Sequence, residues 1–118
     1  MVLVDTSAWI ELMRRGHAEL DRALSDGRVL THPFVLGELA CGSLAREREI
    51  RGLLDTLPRV EEATHDEVMM MVQAKRLAGS GIGWIDAHLI TSALIARVEL
   101  LTLDRALGRA WERASAIR

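Results

Sequence analysis

The chain has one cysteine, Cys41, in 118 residues. No disulfide can close within it, and a cysteine-based zinc cluster is excluded. Cys41 is expected to be a small buried hydrophobe, because nothing places a histidine base beside it. Lysine is almost absent: Lys75 stands alone, so any basic contact must come mostly from arginine. The formal charge of −2 is too small for the whole surface to attract nucleic acid. A nucleic-acid role would need a local patch or a bridging metal. Long apolar runs are missing too. The most apolar stretch, Ala87 to Leu101, carries His88, Arg97 and Glu99 and is too short to span a bilayer. No basic region precedes Met1–Val4, and Asp5 interrupts that run, so no signal peptide is expected. These absences favour a reducing, cytoplasmic location with no membrane partner.

Several chemistries lack their signatures as well. His17, His32, His65 and His88 show neither His-x-His nor His-Glu-x-x-His spacing. Neither Ser7 nor Ser92 sits in a nucleophile elbow. The glycine-rich loop Gly79-Ser80-Gly81-Ile82-Gly83 lacks the Lys-Ser/Thr of a phosphate-binding loop. There are no repeats, linkers or low-complexity segments.

What is present reads as one domain over residues 1–118, with 49% hydrophobic residues and room for one core. Val2-Leu3-Val4 is an unalternated apolar run, as in a strand buried on both faces. Ser7 is a candidate N-cap for a helix over Ala8–Arg15, stopped by Gly16. A short helix fits Ala18–Ser25, then a strand over Arg28–Thr31. Pro33 opens a helix that ends near Gly42. Ile50, Leu53, Leu54 and Leu57 mark an amphipathic helix ended by Pro58, with a brief strand at Arg59–Glu61. Thr64 and Glu67 form a capping box for a helix to about Ala78, with Met70, Ala74, Leu77 and Ala78 inward and the Met69–Met71 run filling core. Ala87 to Val98 is apolar nearly all round and predicts a central buried helix. A strand over Glu99–Leu103 and a helix from Arg105 to about Arg113 complete the chain. Strands alternating with helices predict an α/β fold, with a short parallel sheet covered on both faces.

Four acids stand out on this frame. Asp5 and Asp104 follow predicted strands, where such sheets build their sites. Glu38 and Asp86 stand early in helices, where the dipole favours negative charge. Each alone has a simpler explanation. An aspartate after a strand can cap the next helix, and Glu38 or Asp86 can face solvent. If the fold gathers all four, they form a carboxylate pocket suited to Mg²⁺ or Mn²⁺. Inward acids without cations would repel and raise one another's pKa values, and a divalent ion removes that conflict.

The segments around these acids carry a resemblance. Val4-Asp5-Thr6-Ser7-Ala8-Trp9-Ile10, Leu36-Gly37-Glu38-Leu39, Trp84-Ile85-Asp86-Ala87-His88-Leu89-Ile90 and Leu101-Thr102-Leu103-Asp104-Arg105-Ala106-Leu107 resemble, in order and spacing, the four motifs of PIN-domain ribonucleases of the VapC toxin type. The resemblance implies a three-layer α/β/α fold and Mg²⁺- or Mn²⁺-dependent endonuclease cleavage of RNA by water that the metal activates, leaving 5′-phosphate and 3′-hydroxyl ends. Asp5, Glu38, Asp86 and Asp104 would be the catalytic quartet. Asp5 and Asp86 would be direct metal ligands, with Glu38 and Asp104 acting through water or a second ion. Thr6, Ser7 and Thr102 would be supporting hydroxyls. It also implies a VapB-like antitoxin and a homodimer, forming a heterotetramer or larger assembly with that antitoxin.

Beyond the motifs, Arg14 and Arg15, with Arg46, Arg48 and Arg51, are candidates for phosphate contact. Trp9 is expected in the core. Leu12, Met13, Ile50 and Leu54 are candidate exposed dimer contacts. His32 stands where many relatives of this type carry Ser or Thr, and a final edge strand is short or missing. A PIN nuclease of RNA processing or decay without an antitoxin is the nearest alternative. A non-catalytic PIN-like binding module fits less well, since all four acids are present. A haloacid-dehalogenase-like phosphatase is disfavoured, because Ser7 replaces the second aspartate that chemistry needs.

Overall fold

The three strands are short, and their order decides where everything else goes. A computed structural model of the chain describes residues 1–42 and 47–116. β1 (Val2–Val4) is central, between β2 (Val29–Leu30) and β3 (Glu99–Leu101), and both pairings are parallel. Leu3 and Val4 are fully buried, as a central strand covered on both faces requires. Parallel pairing brings the carboxyl ends of β1 and β3 side by side, with Val4 opposite Leu101.

Among the described residues seven helices surround the sheet: α1 (Thr6–Arg14), α2 (Ala18–Ser25), α3 (Pro33–Cys41), α4 (Glu47–Leu54), α5 (His65–Ala74), α6 (Trp84–Ala96) and α7 (Arg105–Ser115). α1 packs against α2, α3 and α4, while α6 packs against α5, α7 and β3, in a three-layer α/β/α arrangement. Trp9 is buried in the core, as expected. Ala87 to Ala93 are buried without a break, which matches the all-round apolar pattern of α6. The Thr64–Glu67 capping box forms in full.

Several expectations need correction. The N-cap of α1 is Asp5, not Ser7: Asp5 accepts the Ala8 N–H, and Ser7 lies in the first turn. α5 ends at Ala74 and turns Val68 and Val72 inward; Met70 is 70% exposed and Met69 48%. Residues 68–72 are all apolar, so two stripes had helical spacing and periodicity could not choose between them. Cys41 is exposed, on the face of α3 opposite Val35 and Leu39. Met13, Ile50 and Leu54 belong to the core and Leu12 packs on it, because α4 lies against α1. α4 stops at Leu54, before Leu57. The brief strand at Arg59–Glu61 reduces to one parallel bridge, Thr31 to Arg59. β3 stops at Leu101. Arg46 and the end of the chain after Ala116, where a final strand was in question, lie outside the described residues.

Leu3 is the larger of the two fully buried residues of β1. Leu3→Ala is expected to cost about 2–5 kcal/mol, read as a lower urea midpoint at unchanged slope. A loss under 1 kcal/mol, on the order of a surface change, would contradict the central placement of β1.

Candidate functional site

At the carboxyl edge of the sheet the chain turns straight from strand into helix. Asp5 leaves β1 with its backbone N–H bonded to the Leu101 carbonyl at 3.0 Å, which ties it to β3. Its side chain is buried, 5% exposed, and both carboxylate oxygens are engaged. The Ser7 hydroxyl donates to Oδ1 at 2.6 Å and the Thr102 hydroxyl to Oδ2 at 2.7 Å. The Leu103 N–H donates to Ser7 Oγ at 2.9 Å, and the Asp104 N–H to Thr102 Oγ1 at 3.0 Å. One connected network therefore joins β1, α1 and the turn after β3.

The other acids arrive from three further elements. Asp104 is the N-cap of α7 and accepts the Leu107 N–H at 3.0 Å. It stands three residues past the end of β3, because that strand is shorter than its apolar run. Asp86 lies in the first turn of α6, as expected. Glu38 is the sixth residue of nine in α3, beyond the first turn where the dipole acts. Its partner is the Thr6 hydroxyl, which donates to Oε1 at 2.6 Å.

The charges of the other three acids reach Asp86. Burial, above all, raises the Asp86 carboxyl above the ordinary carboxylate range, against a Gly83 backbone hydrogen bond that lowers it. The charges of Asp104, Asp5 and Glu38 each raise it further. The two ion pairs seen, Arg15–Glu11 and Arg28–Asp26, lie elsewhere. Among the described residues no lysine or arginine pairs with any of the four acids. The partners they do have are hydroxyls and backbone N–H groups, which orient a carboxylate without neutralising it.

That donor set suits a hard divalent cation in type and charge: oxygen ligands, several carboxylates and no thiolate or imidazole. In this conformation, among the described residues, no three acid, histidine or cysteine side chains converge closely enough to hold an ion. Asp5 and Glu38 turn instead to hydroxyl partners and Asp104 to the Leu107 N–H, and Glu38 and Asp104 are exposed enough to swing.

Arg14 and Arg15 are not brought to this site. They end α1, and nine residues at about 1.5 Å each put them roughly 13 Å along the axis from Asp5. Arg15 pairs with Glu11 instead. Arg48 and Arg51 line a groove with Arg59, on the other side of α3 from the acids. Arg59 was not singled out in the sequence, because only the bridge to Thr31 brings it there.

Beneath the site lies a ring cluster that no motif announced. His32 caps α3 through Nδ1, which accepts the Phe34 N–H at 3.0 Å, so histidine takes over the capping role of Ser or Thr. Burial, with the neighbouring His88 ring, pushes its pKa down to about 4. His88 is lowered mainly by burial and packs edge-on against Phe34 and Trp84. His88 is two residues from Asp86 on α6 and, as expected, turns away from it into the packing. Spacing offered one clue, since Trp84 and His88 are four apart on one helix face.

A fold of this topology with an acidic pocket at the carboxyl edge defines a class, and the comparisons agree. The PIN domain family matches residues 2–112. The chain belongs to the PIN domain family. It is 42% identical over 111 residues to proteins named Ribonuclease VapC32 from two strains of Mycobacterium tuberculosis, CDC 1551 / Oshkosh and H37Rv. These alignments cover 93% of this chain and 90% of each relative. The crystal structure of PAE2754 from Pyrobaculum aerophilum superposes with a TM-score of 0.66 at 21% identity, covering 92% of this chain and 84% of that one, and supports the fold.

The raised pKa of Asp86 gives a signed prediction. The folded state holds that proton more tightly than the unfolded chain, so ionised Asp86 opposes folding at neutral pH. In chelator at pH 7, Asp86→Asn is expected to melt above the wild type. The gap should narrow as pH falls through the raised folded value towards the ordinary aspartate range. A variant that melts lower at pH 7, by differential scanning fluorimetry, would contradict the crowding of charge described here.

Proposed function

We propose that this chain is a divalent-metal-dependent endoribonuclease, the toxin of a VapBC-like toxin–antitoxin pair, with its domain spanning residues 1–118. The observation that carries the proposal is the charge on Asp86: three more acids from three other elements act on it, and no cation among the described residues answers them. Identity of 42% to proteins named Ribonuclease VapC32 supports RNA as the substrate.

Asp5 and Asp86 would hold Mg²⁺ or Mn²⁺, with Glu38 and Asp104 completing the site. A divalent cation held there would offset part of the quartet's negative charge and would supply positive charge against that building on the phosphate being cleaved. The chain's own contribution is orientation. Ser7 and Thr102 fix the two oxygens of Asp5, and Leu103 and Asp104 in turn fix those hydroxyls through their N–H groups. Thr6 holds Glu38 towards the α1 side of the pocket. Burial of Asp5 beneath the more exposed Glu38 and Asp104 leaves the phosphate an open approach from solvent. Products would carry 5′-phosphate and 3′-hydroxyl ends.

The partners proposed are RNA, a VapB-like antitoxin and a second copy of the chain, with a heterotetramer or larger assembly in the antitoxin complex. Among the described residues no helix is long and apolar enough to cross a membrane. An adjacent short open reading frame for a DNA-binding protein is expected. Its absence would favour a PIN nuclease of RNA processing or decay.

Purified protein is expected to cut single-stranded RNA with Mg²⁺ or Mn²⁺ and to stop in EDTA. Asp5→Ala and Asp86→Ala should each lose about 100-fold or more in rate, the scale of removing one group that stabilises a transition state. Either variant cutting at the wild-type rate, on a denaturing gel of end-labelled RNA, would overturn the assignment.

A further inference from the structure

Two grooves flank helix α3, and they meet at one residue. The first is an apolar cleft of about 610 Å³ between α3 and α6, lined by Phe34, Gly37, Trp84 and Ile85, with Glu38 of the quartet in its wall. That volume lies within the roughly 300–1,000 Å³ of small-ligand sites. The second, of about 560 Å³, lies between α3 and α4, and among the described residues it carries Arg48, Arg51 and Arg59 with one acid, Asp55. Gly37 lines both grooves.

The fold does not need a glycine there. A Cβ at Gly37 would meet nothing within 4 Å, and its φ lies outside the left-handed region. Glycine mid-helix weakens a helix, so this position gives up stability without a packing reason. What the missing side chain does provide is a low saddle between the two grooves. Trp84 beside it is 41% exposed, and its ring is braced by His65 at 5.0 Å and His88 at 4.9 Å. An indole held by two rings and still open on a cleft is suited to stacking.

We infer that a single RNA strand crosses α3 at Gly37, with one unpaired base in the apolar cleft against Trp84 and Phe34 and a neighbouring phosphate in the arginine groove of Arg48 and Arg59. This rests on the RNA substrate proposed above and adds the path that substrate takes. Both halves match in chemistry: an apolar slot for a base with a quartet acid, Glu38, in its wall, and Arg48 and Arg59 for a backbone phosphate. The base is read by stacking and shape, so the cleft prefers single-stranded over paired RNA.

The test uses the full chain and a short fluorescein-labelled single-stranded RNA, with binding measured by anisotropy in chelator and cleavage measured with Mn²⁺. Gly37→Leu and Trp84→Ala are expected to bind about tenfold more weakly, in the range of one lost base stack, while Trp84→Phe recovers most of it. Oligomeric state should stay that of the wild type, and Gly37→Leu should melt no lower than it, since leucine favours a helix over glycine. Trp84 is a surface residue, so its pair of variants decides the matter if Gly37→Leu fails to fold. Wild-type binding by Gly37→Leu and Trp84→Ala, or no RNA binding by the wild type, overturns the inference. Weaker binding accompanied by loss of an oligomer in sedimentation also overturns it, by giving the cleft to a second copy. If the variants lose binding but the wild type does not cut, the path stands and the nuclease reading falls. If the wild type cuts and the variants match it, the reverse holds.

Discussion

The proposed site depends on setting four acids within reach of one another's charge, with no cation among the described residues paired to any of them. Asp5, Glu38, Asp86 and Asp104 come from four separate elements, and the fold spends burial on Asp5 and Asp86 rather than leaving them in water. Like charges in a partly desolvated pocket oppose folding. The chain answers with hydroxyls: Thr6 on Glu38, Ser7 and Thr102 on Asp5. Hydrogen bonds to a carboxylate stabilise its charged form but leave the charge in place. In the proposed site the carboxylates are thus oriented while their charge stays unanswered among the described residues.

The sheet explains how so small a chain manages this. With β1 in the middle and both neighbours parallel, the turns after β1 and β3 emerge at one edge and bond to each other. Asp5 and Asp104 cap the helices that follow, so the simple explanation and the functional one coincide. Capping fixes where each aspartate stands, and the residue that ends a strand also starts a helix at the rim of the site. α3 and α6 wall the apolar cleft, with Glu38 in that wall, and the rings of His32, Phe34 and His88 pack together from the same two elements.

Much of this was legible in the sequence where local chemistry decides. Val2–Val4 as a buried strand, the Thr64–Glu67 box, Pro33 opening α3 and the unbroken apolar α6 follow from short-range rules. So does the set of four acids, since each sits beside a strand end or within a helix that periodicity finds. The misses share one cause, a choice made by distant packing. Residues 68–72 offered two stripes, and contact with α6 selected Val68 and Val72 over Met70. Cys41 was expected inside, but α3 turns that face outward. Met13, Ile50 and Leu54 read as free surface until α4 lay on α1. Arg59 and the ring cluster under the site join elements more than twenty residues apart, which no window along the chain can see.

The central claim is that the quartet is a divalent-cation centre, and direct titration with Mn²⁺ tests it most plainly. Calorimetry or Mn²⁺ electron paramagnetic resonance on the purified chain should show saturable binding that Mg²⁺ displaces. The Asp5→Asn/Asp86→Asn double variant, folded by circular dichroism, should have lost it. Equal Mn²⁺ binding by the wild type and the folded double variant, or none by the wild type, would contradict the account.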